Sequence, residues 1–300
     1  MKKLFIMAMA VGLTLTACEK EIMSDEPTDN AVLVTDDQGN VLPTKKFTFT
    51  LKGDFSEDWK PVTRGYLSAD GKDLTDVWVL DYMNGTLVQQ IHQDDNTAEN
   101  FGKPQMTLSY GSHHIYFVVS RGAEPALNTT NATITWSSVR DTFWKDYEVN
   151  VVSTSNGNRA VTLDRVVTKL RLTFTDEVPA TANSISIVPH TWYYGIDYLT
   201  GQPASAQTDA ATVITIPDAS KGQTGIQASL FGFSGADEWN TDVVISSRTT
   251  TDDVLGSATI AAAPFKANRV SDYSGPLFSA GGSVSLSLNG EWEDSYTGEW

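Results

Sequence analysis

From residue 45 the chain alternates, with Phe47, Phe49 and Leu51 on one side and Thr48, Thr50 and Lys52 on the other. A period of two carried by aromatic and β-branched residues predicts a half-buried strand, which Gly53-Asp54 ends. A polar loop then runs through Pro61 to Arg64-Gly65. Residues 76–82 are apolar on both faces at Val77-Trp78-Val79-Leu80, and Asn84-Gly85 predicts a type I′ hairpin returning over 86–91. Residues 106–110 and 115–120 read as another strand pair joined by Gly111-Ser112, and a helix is entertained only over 137–147. Residues 166–174 give the cleanest strand, with Val166, Leu170, Leu172 and Phe174 facing one way and Lys169, Arg171 and Thr173 the other. Further strands are predicted at 184–188, 212–216, 227–233, 243–247 and 255–260, and at 283–288, where Val284, Leu286 and Leu288 alternate with serines. Short strands punctuated by Gly, Asn, Asp and Pro predict an all-β chain of two β-sandwich domains, 43–158 and 159–300.

The start of the chain follows another pattern. Lys2 and Lys3 precede an apolar run from Leu4 to Leu15, too short for a membrane-spanning helix, which takes about twenty apolar residues. Leu15-Thr16-Ala17-Cys18 resembles the lipobox that closes a bacterial lipoprotein signal. That resemblance implies cleavage between Ala17 and Cys18, a lipid-modified (palmitate-bearing) Cys18 as the anchor in the outer membrane, and a signal peptide over 1–17. Residues 18–42 are polar and acidic, with Glu19-Lys20-Glu21, Asp25-Glu26, Asp29 and Asp36-Asp37, and read as a solvated tether. Acidic residues directly after the lipidated Cys also resemble the surface-export signal of Bacteroidales lipoproteins, which implies a cell-surface location.

Composition narrows the function classes. The formal net charge is −16, and removing Lys2 and Lys3 with the signal leaves −18, so nucleic acid is not an expected partner. The single Cys is spent on the anchor, so packing and hydrogen bonds alone stabilise the exported part. The four histidines, His92, His113, His114 and His190, form no zinc-binding spacing, and adjacent His113 and His114 on a strand point to opposite faces. Asp70, Asp73 and Asp76 around Gly71 fail the EF-hand spacing. There is no nucleophile elbow, no phosphate-binding loop and no carboxylate spacing favouring a glycosidase pair, so no enzyme, cofactor or metal is expected. The cluster Trp192-Tyr193-Tyr194-Gly195-Ile196-Asp197-Tyr198 is the best ligand-binding candidate, its rings suited to stacking on sugars; the alternative is that they fill the second sandwich.

Taken together, these segments resemble the fimbrillin family, the type V pilins and accessory pilus subunits of Bacteroidales. The resemblance rests on the lipobox and acidic tether, Phe47-Thr48-Phe49-Thr50-Leu51 leading to Val62-Thr63-Arg64-Gly65, and Leu74-Thr75-Asp76-Val77-Trp78-Val79-Leu80-Asp81. It continues through Val161-Thr162-Leu163-Asp164-Arg165-Val166-Val167-Thr168-Lys169-Leu170, then Lys266-Ala267-Asn268-Arg269-Val270, Tyr273-Ser274-Gly275-Pro276-Leu277-Phe278 and Trp292. It implies two transthyretin-like β-sandwiches in tandem and polymerisation with other fimbrial subunits at the cell surface, in support of adhesion. In the family an Arg-specific protease removes the tether and first strand, here by cutting between Arg64 and Gly65, and a neighbour's donor strand fills the vacated groove. Phe47, Phe49 and Leu51 would be the exchangeable residues, and the tail bearing Val284, Leu286, Leu288 and Trp292 the donor. The alternative is a non-polymerising surface lipoprotein that binds glycans or host ligands through Trp192, Tyr193, Tyr194 and Tyr198.

Overall fold

The computed structural model describes residues 34–55, 65–66, 74–279 and 296–299. Ala17, Cys18, Arg64, Val284, Leu286, Leu288 and Trp292 lie outside them. Among the described residues the chain is all β, with one 3-10 turn at Asp218–Ser220 and no α-helix.

The first half comprises β1 (Thr44–Gly53), β2 (Gly65–Tyr66), β3 (Asp76–Met83), β4 (Thr86–Gln93), β5 (Gln105–Ser109) and β6 (Gly111–Ser120). It continues with β7 (Ala126–Asn128), β8 (Thr133–Thr135), β9 (Thr142–Val151), β10 (Asn158–Thr162) and β11 (Asp164–Arg165). One sheet places β1 between β10 and the pair β2 and β5; the facing sheet runs β11-β9-β6-β3-β4. Between them lie Phe47, Phe49, Leu51, Val77, Val79, Phe117 and Val161. The expected hairpin holds: Asn84 and Gly85 both take positive φ, 51° and 76°, and join β3 to β4.

Three expectations are corrected. Residues 142–151 form a strand, β9, paired with β6 from Gly111↔Val151 to Ser120↔Thr142. Thr142, Phe143, Trp144, Tyr147, Val149 and Val151 fit a pleated surface better than a helix. Residues 106–110 and 115–120 are not a hairpin, because β5 pairs with β1 in one sheet and β6 with β3 and β9 in the other. Gly111, at φ 133°, is where the chain crosses between sheets; a Cβ there would meet Met83 Cε at 2.5 Å. Finally, the first sandwich runs past Asn158, since β10 pairs with β1, β11 pairs with β9, and Val161 and Leu163 sit in the first core.

The second half comprises β12 (Val167–Phe174), β13 (Ala182–Pro189), β14 (Thr191–Asp197), β15 (Gln202–Thr208) and β16 (Thr212–Thr215). Next come β17 (Ile226–Phe233), β18 (Trp239–Thr249), β19 (Val254–Phe265), β20 (Val270–Gly275) and β21 (Tyr296–Glu299). Sheets β17-β12-β20-β21 and β16-β13-β18-β19 enclose a core that includes Leu170, Leu172, Phe174, Ile187, Ile245, Ile260 and Phe265. A fifth sheet, β15-β14-β8-β7, takes strands from both halves. A cluster gathers Ile134, Trp136, Ile196 and Tyr198 from this region against Leu80, Tyr116 and Val118 of β3 and β6. The sheet holding β3 and β6 is therefore covered on both sides, which is why Val77 to Leu80 and residues 115–119 are apolar at consecutive positions.

Candidate strand-exchange site

β1 sits inside its sheet. Thr48 is the register partner of Asn158 on one flank and of Gln105 on the other. On the β10 side the Thr48 N–H donates to the Gly157 carbonyl at 2.7 Å, and the Leu163 N–H donates to the Lys52 carbonyl at 2.8 Å. On the β5 side the Phe49 N–H donates to the Pro104 carbonyl at 3.0 Å and the Leu51 N–H to the Gly102 carbonyl at 3.2 Å. The turn before β10 closes tightly on β1, because a Cβ on Gly157 would meet the Lys46 carbonyl oxygen at 2.5 Å.

Phe47, Phe49 and Leu51 are fully buried, as their alternation predicts. The Phe49 ring meets Phe117 edge-on at 5.2 Å and Tyr147 at 5.9 Å. At about 1.5–3 kcal/mol each, the three side chains contribute about 5–9 kcal/mol. That is comparable to the whole stability of an ordinary domain. A body deprived of β1 would expose an apolar trough with unpaired ladder groups on both walls, a template for another strand.

Among the described residues, Gly65 and Tyr66 pair with Gly53 and Lys52, which sets the residue after Arg64 directly against the end of β1. Beyond β1, the carbonyls of Asp54 and Phe55 accept hydrogen bonds from Arg165 Nη2 at 2.9 Å and Arg121 Nη2 at 2.7 Å. Asp141 joins these two arginines, at 2.6 Å from Arg165 Nε and 2.8 Å from Arg121 Nη1. Burial pushes the Asp141 carboxyl up, and the two guanidiniums work against that.

At the other end of the chain, Asp176 roots the tail. Its carboxylate accepts from the backbone N–H groups of Leu277 at 2.9 Å, Phe278 at 2.7 Å and Ser279 at 2.7 Å. Burial acts against the charge, but these donors prevail and hold the carboxyl below its ordinary value. Downstream, β21 lies parallel to β20, pairing Ser271↔Tyr296 through Ser274↔Glu299.

The aromatic cluster does not form a ligand platform. Trp192 is fully buried in the second core, its Nε1–H donating to the Phe231 carbonyl at 2.9 Å. Tyr198 is fully buried too, its hydroxyl 2.8 Å from that of Tyr82. Tyr193 and Tyr194 are half-buried against the same clusters. Trp192 serves the second core, and Tyr198, just past the end of β14, serves the cluster against β3 and β6.

His113 and His114 do point to opposite faces. His113 is buried, with Nδ1 2.8 Å from Asp81 Oδ1 and Nε2 2.8 Å from the Ser109 carbonyl. His114 is exposed and lies 3.2 Å from Asp146, near Glu148. Neither the Asp81–His113 pair nor the Arg121–Asp141–Arg165 cluster is foreseen by the sequence reading. Its one signal is Arg165, a charge followed directly by Val166-Val167 where the strand pattern turns apolar.

No protein-family model matches the chain, and no curated protein sequence does. Solved structures similar to it include a candidate adhesin from Bacteroides ovatus, at TM-score 0.48 and 15% identity, covering 72% of this chain and 77% of that one. Another is the fimbrial anchor protein Mfa2 from Porphyromonas gingivalis, at TM-score 0.42 and 9% identity, covering 72% and 82%. A third is a candidate cell adhesion protein from Bacteroides ovatus, at TM-score 0.44 and 14% identity, covering 74% and 89%.

Proposed function

We propose that this chain is a fimbrial subunit of the fimbrillin type, a structural protein of the cell surface and not an enzyme. It is exported as a precursor cut after Ala17 and anchored in the outer membrane through lipid on Cys18, with the residues before Val34 as tether, since Val34 and Leu42 already pack with Met83 and Val88, and two tandem sandwiches beyond. Cleavage between Arg64 and Gly65 then frees the segment carrying Phe47, Phe49 and Leu51, and a strand from another fimbrial subunit takes its place. The tail carrying Val284, Leu286, Leu288 and Trp292 is the segment offered to a neighbour. The observation that carries this reading is the seat of β1: interior to its sheet and fully buried along one face.

The test is incubation of the exported chain with an Arg-specific protease, followed by mass spectrometry and unheated SDS gels. The expected products have Gly65 as the new N-terminus and run as a ladder. A chain left uncut near Arg64, and monomeric, would refute the polymerising role. Glycan capture through Trp192 and Tyr198 is the weaker reading, because both rings are already consumed by the core.

A further inference from the structure

The end of β1 is held differently from the rest of the strand. Along β1 the backbone groups meet other strands and the loop at 102–104. At Asp54 and Phe55 the carbonyls meet two arginines instead, Arg165 buried and Arg121 half-buried. The side chains of Arg121, Asp141 and Arg165 are 10%, 4% and 2% exposed, so water is a poor substitute for the acceptors these carbonyls provide. Arg165 also reaches the second sandwich, where Nη1 donates to Asn268 Oδ1 at 2.9 Å. Asn268 holds a positive φ of 60° in the turn between β19 and β20, and its N–H donates to the Val167 carbonyl at 2.9 Å. The Phe55 ring completes the seat, edge-on to Phe143 at 4.9 Å, with the Arg165 guanidinium on the same Phe143 ring at 4.9 Å.

We infer that Arg121, Asp141 and Arg165 form a catch for the occupant of the β1 groove, a set of positioning residues that reads two consecutive backbone carbonyls and an apolar side chain beyond the ladder. This rests on the strand-exchange reading above. All three residues lie downstream of Arg64, so they stay with the body when the segment before it leaves. Departure strips both guanidiniums of a carbonyl acceptor in a site where water is a poor replacement. The catch therefore slows release of the resident strand and favours an incoming strand that extends two residues past the ladder. Because Asn268 is tied to Arg165, the second sandwich takes part in holding a strand that belongs to the first.

The experiment uses the exported chain carrying an inserted site-specific protease sequence within residues 58–63. After cutting, native mass spectrometry follows loss of the N-terminal fragment in the presence of excess synthetic peptide, either residues 43–55 or residues 43–53, each closed as a C-terminal amide. Asp141→Asn keeps the shape and removes the charge; Asn268→Ala removes only the link to the second sandwich. Ile115→Val, in the first core but away from the catch, controls for general loss of stability. Asp141→Asn is expected to release the fragment about tenfold faster, the scale of one charged hydrogen bond. It is also expected to erase most of the preference for the longer peptide, while Ile115→Val leaves that preference intact. Asn268→Ala is expected to shift release in the same direction by a smaller factor, and Arg121→Gln serves in place of Asp141→Asn if that variant does not fold. An undiminished preference for residues 43–55 in these variants, with exchange still proceeding, overturns the catch and leaves strand exchange standing. A wild-type chain that is cut but neither releases its fragment nor takes up peptide overturns strand exchange, and the catch with it.

Discussion

Phe49→Ala is the most direct measure of how far the first sandwich depends on β1. The ring is fully buried and packs edge-on against Phe117 and Tyr147, with Phe47 stacked at 6.0 Å on the same strand. Truncating a buried Phe to Ala costs about 3–5 kcal/mol, the transfer loss plus the cavity left in a sheet whose backbone is pinned on both flanks. With a urea dependence of about 1–3 kcal/mol per molar, the unfolding midpoint should fall by about 1 M or more. The assay is urea unfolding of the chain followed by far-UV circular dichroism and tryptophan fluorescence. Trp78, Trp136 and Trp144 precede the second sandwich in sequence, and Trp192 and Trp239 lie within it. Thr48→Ala, half-buried on the opposite face of the same strand, should change stability by only about 0.5 kcal/mol. A Phe49→Ala midpoint within about 0.3 M of wild type would refute the claim that β1 is an integral part of the core.

Three further outcomes are expected. His113 and Asp81 form a buried pair: burial opposes charge on the ring, but the carboxylate and the Ser109 carbonyl outweigh it and raise the ring's pKa, while burial raises the Asp81 carboxyl. A raised folded pKa gives stability that is complete below the unfolded His value of about 6.5 and is lost as pH rises through the folded value. The urea midpoint should therefore decline on the alkaline side, and Asp81→Asn with His113→Gln should flatten that decline; an unchanged slope would sink the assignment. Asp176 behaves oppositely, its lowered pKa giving support that is present above the unfolded carboxyl value of about 3.9 and is lost as pH falls through the folded value. Asp176→Ala should speed amide hydrogen exchange at Leu277, Phe278 and Ser279 at neutral pH, and unchanged protection there would count against Asp176 as the root of the tail. Trp192→Ala should cost about 3–5 kcal/mol in thermal or urea unfolding as a core truncation; loss of glycan binding on an array with stability unchanged would reverse that reading.

The strands with a strong period were legible because burial on one face writes itself into every second residue. That holds for β1 and β12, while the β3–β4 hairpin, with β3 apolar on both faces, was legible from its Asn84-Gly85 turn. Strands without such contrast were missed. β15 is mostly exposed and carries no apolar alternation, and β20 is assembled by its neighbours β12 and β21. The helix expected over 137–147 failed because short-range pattern was ambiguous there and long-range pairing with β6 decided it.

Local chemistry thus wrote the all-β character and the buried face of the first strand into the chain itself. Pairing between distant residues decided the rest, since hydrogen-bond ladders and charge clusters join positions that no local window contains. Thr48 finds Asn158, Arg165 finds Asp141 and Asn268, and the Tyr82 hydroxyl finds Tyr198. Only that pairing turned an aromatic run resembling a ligand platform into core, and set two arginines on the carbonyls at the end of the first strand.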